Sequence, residues 1–210
     1  MAVVFNVNGD ALIQGNLTVT GTKPPVLRSE LVQDNEAEYD IPFESWRVFD
    51  AYQTSLPGTS ASDDLGLYAG TFGTSTPAIK TYDLKNAGAT NVRARFRVQL
   101  PPEYVAGETV KIRFYAGMET TVASASATID VEAYKTAGDG LVSGSDLVTT
   151  SATTINSLTL ANKDFLVTAT ALSPGDWLDC RVTIAINDSA TATAVIGKIG
   201  KASLLLDIKG

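Results

Sequence analysis

The amino-acid sequence predicts an all-β protein: a jelly-roll-like antiparallel β-sandwich preceded by an extended N-terminal β arm. Its composition favours strands and turns over helices, because Thr, Ser, Ala, Val and Gly dominate the 210 residues. Apolar residues alternate with polar ones in many short segments, which is typical of strands with one buried face. Clusters of Gly, Pro, Asn and Asp separate these segments, as expected of turns between antiparallel strands.

The N-terminal arm spans residues 1–25 and alternates between two faces. Odd positions from Val3 to Gly21 are apolar or glycine, whereas the even positions are polar with two exceptions. Glycines at positions 9, 15 and 21 add a six-residue period, and Asp, Asn or Thr follows each of them. Because Pro24 and Pro25 cannot lie inside a paired strand, they predict a linker between the arm and a main domain.

The arm is too short to bury its own apolar face. A hexapeptide β-helix needs about three repeats per coil and several coils, and this chain has only about three repeats in all. Either the arm lies along the main domain, or identical arms around a threefold axis bury their apolar residues together. The six-residue glycine period favours the second arrangement, because glycines allow close approach at the axis. The arm is therefore predicted to be a trimerisation or attachment element. The predicted interface residues are Val7, Gly9, Ile13, Gly15, Leu17, Val19 and Gly21.

The main domain, residues 26–210, contains about eight to ten strand candidates separated by turns. Residues 91–100 form the clearest candidate, since Val92, Phe96 and Val98 share one face and arginines share the other. The acidic segment 28–40 can form an extended exposed segment or a helical turn, and we expect the extended form. The strand candidates are residues 45–52, 65–72, 79–85, 91–100, 110–117, 127–134, 151–160, 164–172, 177–188 and 201–210.

The number and spacing of these candidates predict two packed antiparallel sheets. A compact immunoglobulin-like sandwich fits less well than a jelly roll, because the loops are long and polar and the Cys–Trp–Cys pattern is absent. The one cysteine, Cys180, shares a face with Leu178 and Val182. We therefore expect Cys180 to be a small buried hydrophobic residue and not a reactive thiol.

The chain lacks residues on which several common functions depend. It has no His, which excludes Ser–His and Cys–His nucleophilic pairs and the commonest zinc ligand. A net charge of −7 argues against binding to nucleic acid or to an anionic membrane. No apolar stretch is long enough to cross a bilayer and the N-terminus does not resemble a signal peptide, so synthesis in a cytoplasm is expected. No cofactor is predicted.

Carboxylates offer the remaining route to catalysis or metal binding. The candidate groups are Asp63 with Asp64, Asp139 with Asp146, and the acidic run from residue 34 to residue 40. Calcium is an alternative for the acidic run, although the EF-hand spacing is absent. A solvated or partner-facing surface is the favoured interpretation, and no catalytic or metal-binding residue is predicted.

Two strand candidates carry basic outer faces. If these strands pair, they form a positive stripe that either meets acidic cross-strand neighbours such as Asp130 and Glu132 or faces an acidic partner. The residues of this stripe are Arg93, Arg95, Arg97, Lys111 and Arg113.

The two tryptophans, Trp46 and Trp177, have two interpretations. Packing in the core or at the rim of a sheet is expected for each of them. Stacking on a sugar ring is the alternative, because an indole ring offers a large apolar face together with a polar N–H group.

The segment "NGDALIQGNLTVTGT" resembles the Gly-Asn/Asp β-repeats in the shafts and attachment segments of bacteriophage fibre and capsid-bound proteins. The segments "LPPEYVAGETVKIRFYAG" and "LSPGDWLDCRVTIAI" are similar in style to β-sandwich domains of phage virion proteins. The resemblance implies a non-enzymatic protein of the virion, located on the capsid surface. It implies a homotrimer that decorates or cements the shell by binding the major capsid protein or another virion protein.

Two other functions remain open from the sequence. A receptor-binding fibre head or carbohydrate-binding module, with a glycan as partner, is the first alternative. A glycan-cleaving enzyme is the less favoured one, since it requires two carboxylates about 5–10 Å apart and the sequence marks out no such pair.

Overall fold

The computed structural model describes residues 32–136, 138, 141–142 and 144–209. They form ten strands and a single 3₁₀ turn at Phe43–Ser45, and contain no helix long and apolar enough to cross a membrane. The N-terminal arm, with its predicted interface residues Val7 to Gly21 and its boundary after residue 25, lies outside these residues and stays a prediction. The strands are β1 (Val32–Asp40), β2 (Gly66–Tyr68), β3 (Ala78–Lys80), β4 (Gly88–Gln99), β5 (Val110–Met118), β6 (Ser126–Thr136), β7 (Thr153–Thr154), β8 (Ala161–Val167), β9 (Trp177–Asp188) and β10 (Gly197–Lys209).

The strands divide between two antiparallel sheets, which confirms the predicted fold class. The larger sheet has the order β2-β3-β10-β5-β8, with β1 also paired to β10, and the smaller sheet has the order β4-β9-β6-β7. From β3 onward the chain passes repeatedly from one sheet to the other, as in a jelly roll. Strand β1 contains residues 32–40 of the acidic segment and pairs with β10 between Glu36 and Asp40. The expected extended conformation is therefore confirmed for residues 32–40, and residues 28–31 lie outside the described part of the chain.

Alternating side chains from both sheets fill one core. In β9, Leu178, Cys180 and Val182 point inward and are at most 1% exposed. Burial raises the pKa of the Cys180 thiol well above its ordinary value. The prediction of a buried, unreactive cysteine is therefore confirmed, because only a thiolate is a good nucleophile.

An aromatic cluster joins the two sheets at the centre of this core. Trp46 stacks on Phe96 of β4 with ring centroids 4.8 Å apart. Phe114 of β5 meets Trp46 edge to face at 6.2 Å, and Phe165 of β8 meets Phe114 at 5.8 Å. Since Trp46 is only 1% exposed, it packs in the core as expected and has no face to offer to a sugar.

Five strand predictions are wrong in extent. The candidates 65–72, 79–85 and 164–172 correspond to the shorter or shifted strands Gly66–Tyr68, Ala78–Lys80 and Ala161–Val167. The other two differ more. Residues 45–52 form a folded-back loop instead of a strand, because the Val48 N–H donates to the Thr54 carbonyl and the Thr54 N–H donates to the Ala51 carbonyl. Within residues 151–160, only Thr153 and Thr154 pair with β6. Apolar and polar residues alternate in segments 45–52 and 151–160, but no neighbouring described strand pairs with either segment over its full length.

Candidate functional site

The outer face of the smaller sheet presents polar and aromatic side chains in aligned rows. Strand β9 lies between β4 and β6, so each row takes one residue from each strand. The core-facing side chains of the same strands are apolar, and period-two alternation therefore sends the polar ones outward. From one end of the sheet, the rows are Gln99–Trp177–Thr136, Arg97–Asp179–Tyr134, Arg95–Arg181–Glu132 and Arg93–Thr183–Asp130.

One wall above this face is the loop of residues 47–55. Arg47 and Arg95 exchange backbone hydrogen bonds of 2.8 and 2.9 Å, which fix the loop against the free edge of β4. The loop then holds the Tyr52 ring 5.0 Å from the Arg95 guanidinium carbon and the Phe49 ring 5.3 Å from that of Arg93. Two aromatic rings therefore stand beside the arginines.

The opposite wall follows the end of β6. Val142 pairs with Thr136 by a β-bridge, and Gly138, Leu141 and Val142 border the sheet there. Leu141 and Val142 are 68% and 52% exposed, so this wall presents apolar surface to solvent. Exposed apolar surface concentrated beside polar groups is typical of a binding site.

Between the walls lie two adjoining depressions of about 320 and 270 Å³. They share Arg95, Asp179 and Val142, and we call them together the outer groove. Tyr52, Arg97, Thr136, Gly138 and Leu141 complete the first depression, and Phe49, Glu132, Tyr134 and Arg181 complete the second.

The floor of the groove is held by an ion pair between Arg95 and Asp179. Asp179 is only 8% exposed, and the Arg95 Nε donates to its Oδ1 at 2.6 Å while an Nη donates to Oδ2. The hydrogen bonds to Asp179 raise the pKa of Arg95, although burial opposes the shift. Since a bidentate pair has a defined geometry, it presents its remaining N–H groups and lone pairs in fixed directions.

The other two arginines of the groove have different partners. The Arg181 Nε donates to Glu132 Oε2 at 2.6 Å. Arg97 lies 5.1 Å from the centroid of the Trp177 ring and donates from Nη2 to the Thr136 hydroxyl at 3.1 Å. Trp177 itself remains 39% exposed at the end of the groove.

The turn "SPGD" places Trp177 at the start of β9. The Ser173 N–H donates to Asp176 Oδ2 at 2.7 Å, and Gly175 adopts a φ of +86° that favours glycine. The Gly175 N–H donates to the Leu100 carbonyl, which ties the turn to the end of β4. These bonds therefore fix the backbone of Trp177 beside the end of β4, where it pairs with Gln99.

Carboxylates of the groove do not form a metal site. No cluster of three or more Cys, Asp or Glu side chains suited to a metal ion occurs within residues that the structure describes. Asp179 and Glu132 are ion-paired to arginines. At the adjoining row, burial first and then the charges of Glu132 and Asp146 raise the pKa of Asp130.

The predicted basic stripe is divided between the two sheets. Arg93, Arg95 and Arg97 lie on β4, whereas Lys111 and Arg113 lie on β5 of the larger sheet, so the two strands do not pair. A sandwich buries the inner faces of both sheets and turns their outer faces away from each other. The five residues therefore do not form one surface.

Four of these five basic residues have acidic partners. The pairs are Arg93 with Asp63, Arg95 with Asp179, Lys111 with Glu36 and Arg113 with Asp164. The three pairs other than Arg95–Asp179 are partly exposed, and such pairs contribute about 0–1 kcal/mol each to stability. Whether any of these residues faces a partner protein stays a prediction.

The candidate carboxylates from the sequence serve mainly to hold loops and strands. Asp146 accepts the backbone N–H groups of Ala133 and Val148, and Asp139 lies outside the described residues. Asp64 Oδ1 is buried without a hydrogen-bond partner, and burial, followed by the charges of Asp63 and Asp50, raises its pKa. In the acidic run, Glu36, Glu38 and Asp40 pair with lysines.

Sequence reasoning missed Phe49, Tyr52 and Tyr134 as groove residues. Tyr134 stands at an outward position of β6, and that signal was readable from the alternation. Phe49 and Tyr52 reach the groove only through the long-range contact between Arg47 and Arg95, and no local pattern indicates that contact.

No protein-family model matches the sequence, and no curated protein matches it. Solved structures with similar architecture include the CBM22-1 xylan-binding domain of Xyn10C from Paenibacillus barcinonensis. It is 12% identical, with 83% of this chain and 95% of that chain covered and a TM-score of 0.41. The xylan-binding module CBM15 is 14% identical, with 84% of this chain and 100% of that chain covered and a TM-score of 0.41.

The enzymatically active domain of tailspike protein 4 from bacteriophage CBA120 is also similar. It is 9% identical, with 79% of this chain and 20% of that chain covered and a TM-score of 0.39. At such identities and TM-scores, these likenesses concern the β-sandwich architecture and do not indicate what this chain binds.

Proposed function

We propose that this protein binds carbohydrate in the outer groove. The observation that carries the proposal is the set of aromatic rings, those of Phe49, Tyr52, Tyr134 and Trp177, around the fixed Arg95–Asp179 pair. Sugars have apolar C–H faces and hydroxyl rims. A site for them therefore needs flat aromatic surface beside positioned hydrogen-bonding groups, as in other small-molecule sites.

The size of the groove suits an oligosaccharide segment. Ligand sites usually occupy about 300–1,000 Å³, and the two adjoining depressions measure about 320 and 270 Å³. The groove is open along the sheet, and outward residues that include Asn91, Thr128 and Asn187 line a further shallow depression of about 220 Å³ on the same strands. An extended polymer chain can therefore lie along this face.

The charge balance favours this class of ligand over nucleic acid. The chain carries a net charge of −7, which repels a phosphate backbone at long range. In the groove, Arg95 of β4 is neutralised by Asp179, and Arg181 of β9 by Glu132. What remains is a mixed donor and acceptor surface, which suits hydroxyl groups.

The groove supports binding of a glycan better than cleavage of a glycan. Cleavage of a glycosidic bond needs one carboxylic acid and one carboxylate free to act on opposite sides of that bond. In the groove, the Asp179 and Glu132 carboxylates are both engaged by arginines. These two carboxylates therefore orient Arg95 and Arg181, and the two arginines in turn position a ligand.

The test is isothermal titration against a panel of neutral and acidic polysaccharides, together with an assay for released reducing ends. Wild-type protein is expected to bind at least one glycan saturably and to release no reducing ends. Tyr52→Ala is expected to weaken that binding, whereas Tyr115→Ala on the outer face of the larger sheet is expected to leave it unchanged. Absence of binding across the panel would exclude the function, and release of reducing ends would replace binding with hydrolysis.

The capsid-decoration function predicted from the arm is a second proposal. It is supported by the glycine-spaced segment around Gly9, Gly15 and Gly21, and it is compatible with a glycan-binding main domain. Light scattering tests it directly. A trimer that becomes a monomer after removal of residues 1–22 is the expected result, and a monomeric full-length chain at micromolar concentration would exclude the trimer.

A further inference from the structure

One arginine of the outer groove has a charge that no described residue neutralises. Arg97 forms no ion pair with any carboxylate that the structure describes, whereas Arg95 and Arg181 each form one. Its contacts are the Thr136 hydroxyl and the Trp177 ring. Arg97 therefore keeps a full positive charge beside an exposed aromatic ring.

The register of the sheet explains why Arg97 has no ion-pair partner among the described residues. Asp179 lies directly across from Arg97 in the β4–β9 ladder, where a cross-strand ion pair is expected. That carboxylate instead binds Arg95, the next outward residue of β4, through both of its oxygens. Because this ion pair with Arg95 occupies both oxygens of Asp179, the Arg97 guanidinium is left to bind another partner.

The donors left on Arg97 have a defined location. Its Nε is buried and has no hydrogen-bond partner, and its Nη2 already donates to Thr136. The donors that remain for a ligand are therefore N–H groups of the two Nη atoms. The Trp177 ring and Thr136 hold the planar group in place, which reduces the entropy lost when a ligand binds.

The groove as a whole is locally positive. Three arginines and two carboxylates line its two depressions, which leaves one positive charge in a chain whose net charge is −7. A cation without an ion-pair partner among the described residues attracts an anion at short range, even in a chain with a net negative charge.

We propose that the glycan bound in the outer groove carries a carboxylate, as in a hexuronate unit, and that Arg97 binds this carboxylate while Trp177 stacks against the sugar ring. The inference rests on the proposed function and specifies its ligand class. A carboxylate is planar and offers two acceptor oxygens, which match the forked donors of a guanidinium better than those of an ammonium group.

The test compares polygalacturonate, its fully methyl-esterified form and a sulfated polysaccharide, with wild-type protein and three variants. Arg97→Gln removes the charge, and Arg97→Lys keeps the charge without the fork. Arg113→Gln removes one positive charge from the larger sheet and serves as the control for net charge. Affinities are measured by titration calorimetry at low and high ionic strength, with thermal unfolding to confirm that each variant folds.

Wild-type protein is expected to bind polygalacturonate more tightly than the ester, and added salt is expected to reduce this preference. Arg97→Gln should weaken polygalacturonate binding by about tenfold or more and weaken ester binding by much less. The affinity of Arg97→Lys for polygalacturonate should lie between those of wild type and Arg97→Gln. The affinity of Arg113→Gln should equal that of wild type.

Equal affinity for the acid and the ester, or no effect of either Arg97 variant, would overturn this inference while leaving glycan binding intact. Preference for the sulfated polymer over polygalacturonate would overturn the assignment to a carboxylate. Failure to bind any neutral or acidic glycan would overturn the proposed function itself.

Discussion

Replacing Trp177 with alanine should weaken glycan binding without unfolding the protein. A tryptophan presents about 250 Å², so its 39% exposure leaves about 100 Å² for a ligand to cover. At about 25 cal/mol per Å², full coverage contributes about 2.5 kcal/mol and half coverage about 1.2 kcal/mol. The dissociation constant should therefore rise by about 8- to 70-fold.

Fluorescence provides a specific assay, because the chain has two tryptophans and Trp46 is buried in the core. Iodide should quench wild-type protein through Trp177, and bound glycan should protect that residue. In a Trp177→Phe variant, both the iodide quenching and the ligand-induced change should be lost. Trp177→Phe should nevertheless bind more tightly than Trp177→Ala, because it keeps an aromatic ring.

The matched control is Tyr115→Ala, which removes an aromatic residue that is 43% exposed on the larger sheet. Its dissociation constant should stay within about twofold of the wild-type value, since such a change corresponds to less than about 0.5 kcal/mol. A Trp177→Ala protein that binds as tightly as wild type would refute the reasoning. A ligand-induced fluorescence change that persists in Trp177→Phe would also refute it.

Three further predictions concern the fold that supports the groove. Phe114→Ala should lower the free energy of unfolding by about 3–5 kcal/mol in urea denaturation, because it empties the centre of the core, and an unchanged midpoint would contradict that location. Gly175→Ala should cost about 1–2 kcal/mol by the same measurement, because φ is +86° while an added Cβ meets no atom within 4 Å. Burial alone would raise the pKa of Asp188, but hydrogen bonds from the Thr191 hydroxyl and from backbone N–H groups outweigh it and lower that pKa below its ordinary 3.8. The ionised Asp188 therefore stabilises the fold above pH 3.8, and this stabilisation is lost as the pH falls further. Asp188→Asn should be less stable than wild type near neutrality, and its free energy of unfolding should fall less steeply in acid. Equal pH profiles of stability for the two proteins would contradict this role.

The sequence determined the architecture well wherever side chains alternate strongly. Strand β9 was predicted as residues 177–188 and has those bounds, because inward apolar and outward polar residues alternate from Leu178 to Ile184. The same rule placed Arg93, Arg95 and Arg97 on one outward face. Alternation of apolar and polar residues indicates which residues of one strand share a face, and it can be read from a short stretch of sequence.

The partner of each strand is not a local property. The basic residues of β4 and β5 looked alike in sequence, but the two strands belong to different sheets, so one predicted stripe became two separate surfaces. Likewise, Arg95 takes the carboxylate that lies across from Arg97, and only the register of β4 and β9 reveals this exchange. The lack of an ion-pair partner for Arg97 among the described residues was therefore not predictable from spacing.

The loop that completes the groove illustrates the same limit. Residues 45–52 alternate as a strand would, yet they fold back and carry Phe49 and Tyr52 over the edge of β4. The contact that fixes them joins Arg47 to Arg95, which are far apart in sequence. Trp177, in contrast, was recognised as a candidate from its residue type, because an indole ring can stack on a sugar.

The central claim is that the outer groove of the smaller sheet is the glycan site, and an NMR titration with the tightest-binding glycan tests it most directly. The account predicts saturable shifts of the Trp177 indole N–H, of the β4 amides near Arg95 and Arg97, and of the loop that holds Tyr52. Shifts confined to the larger sheet around Tyr115, or no saturable shifts with any glycan, would contradict it.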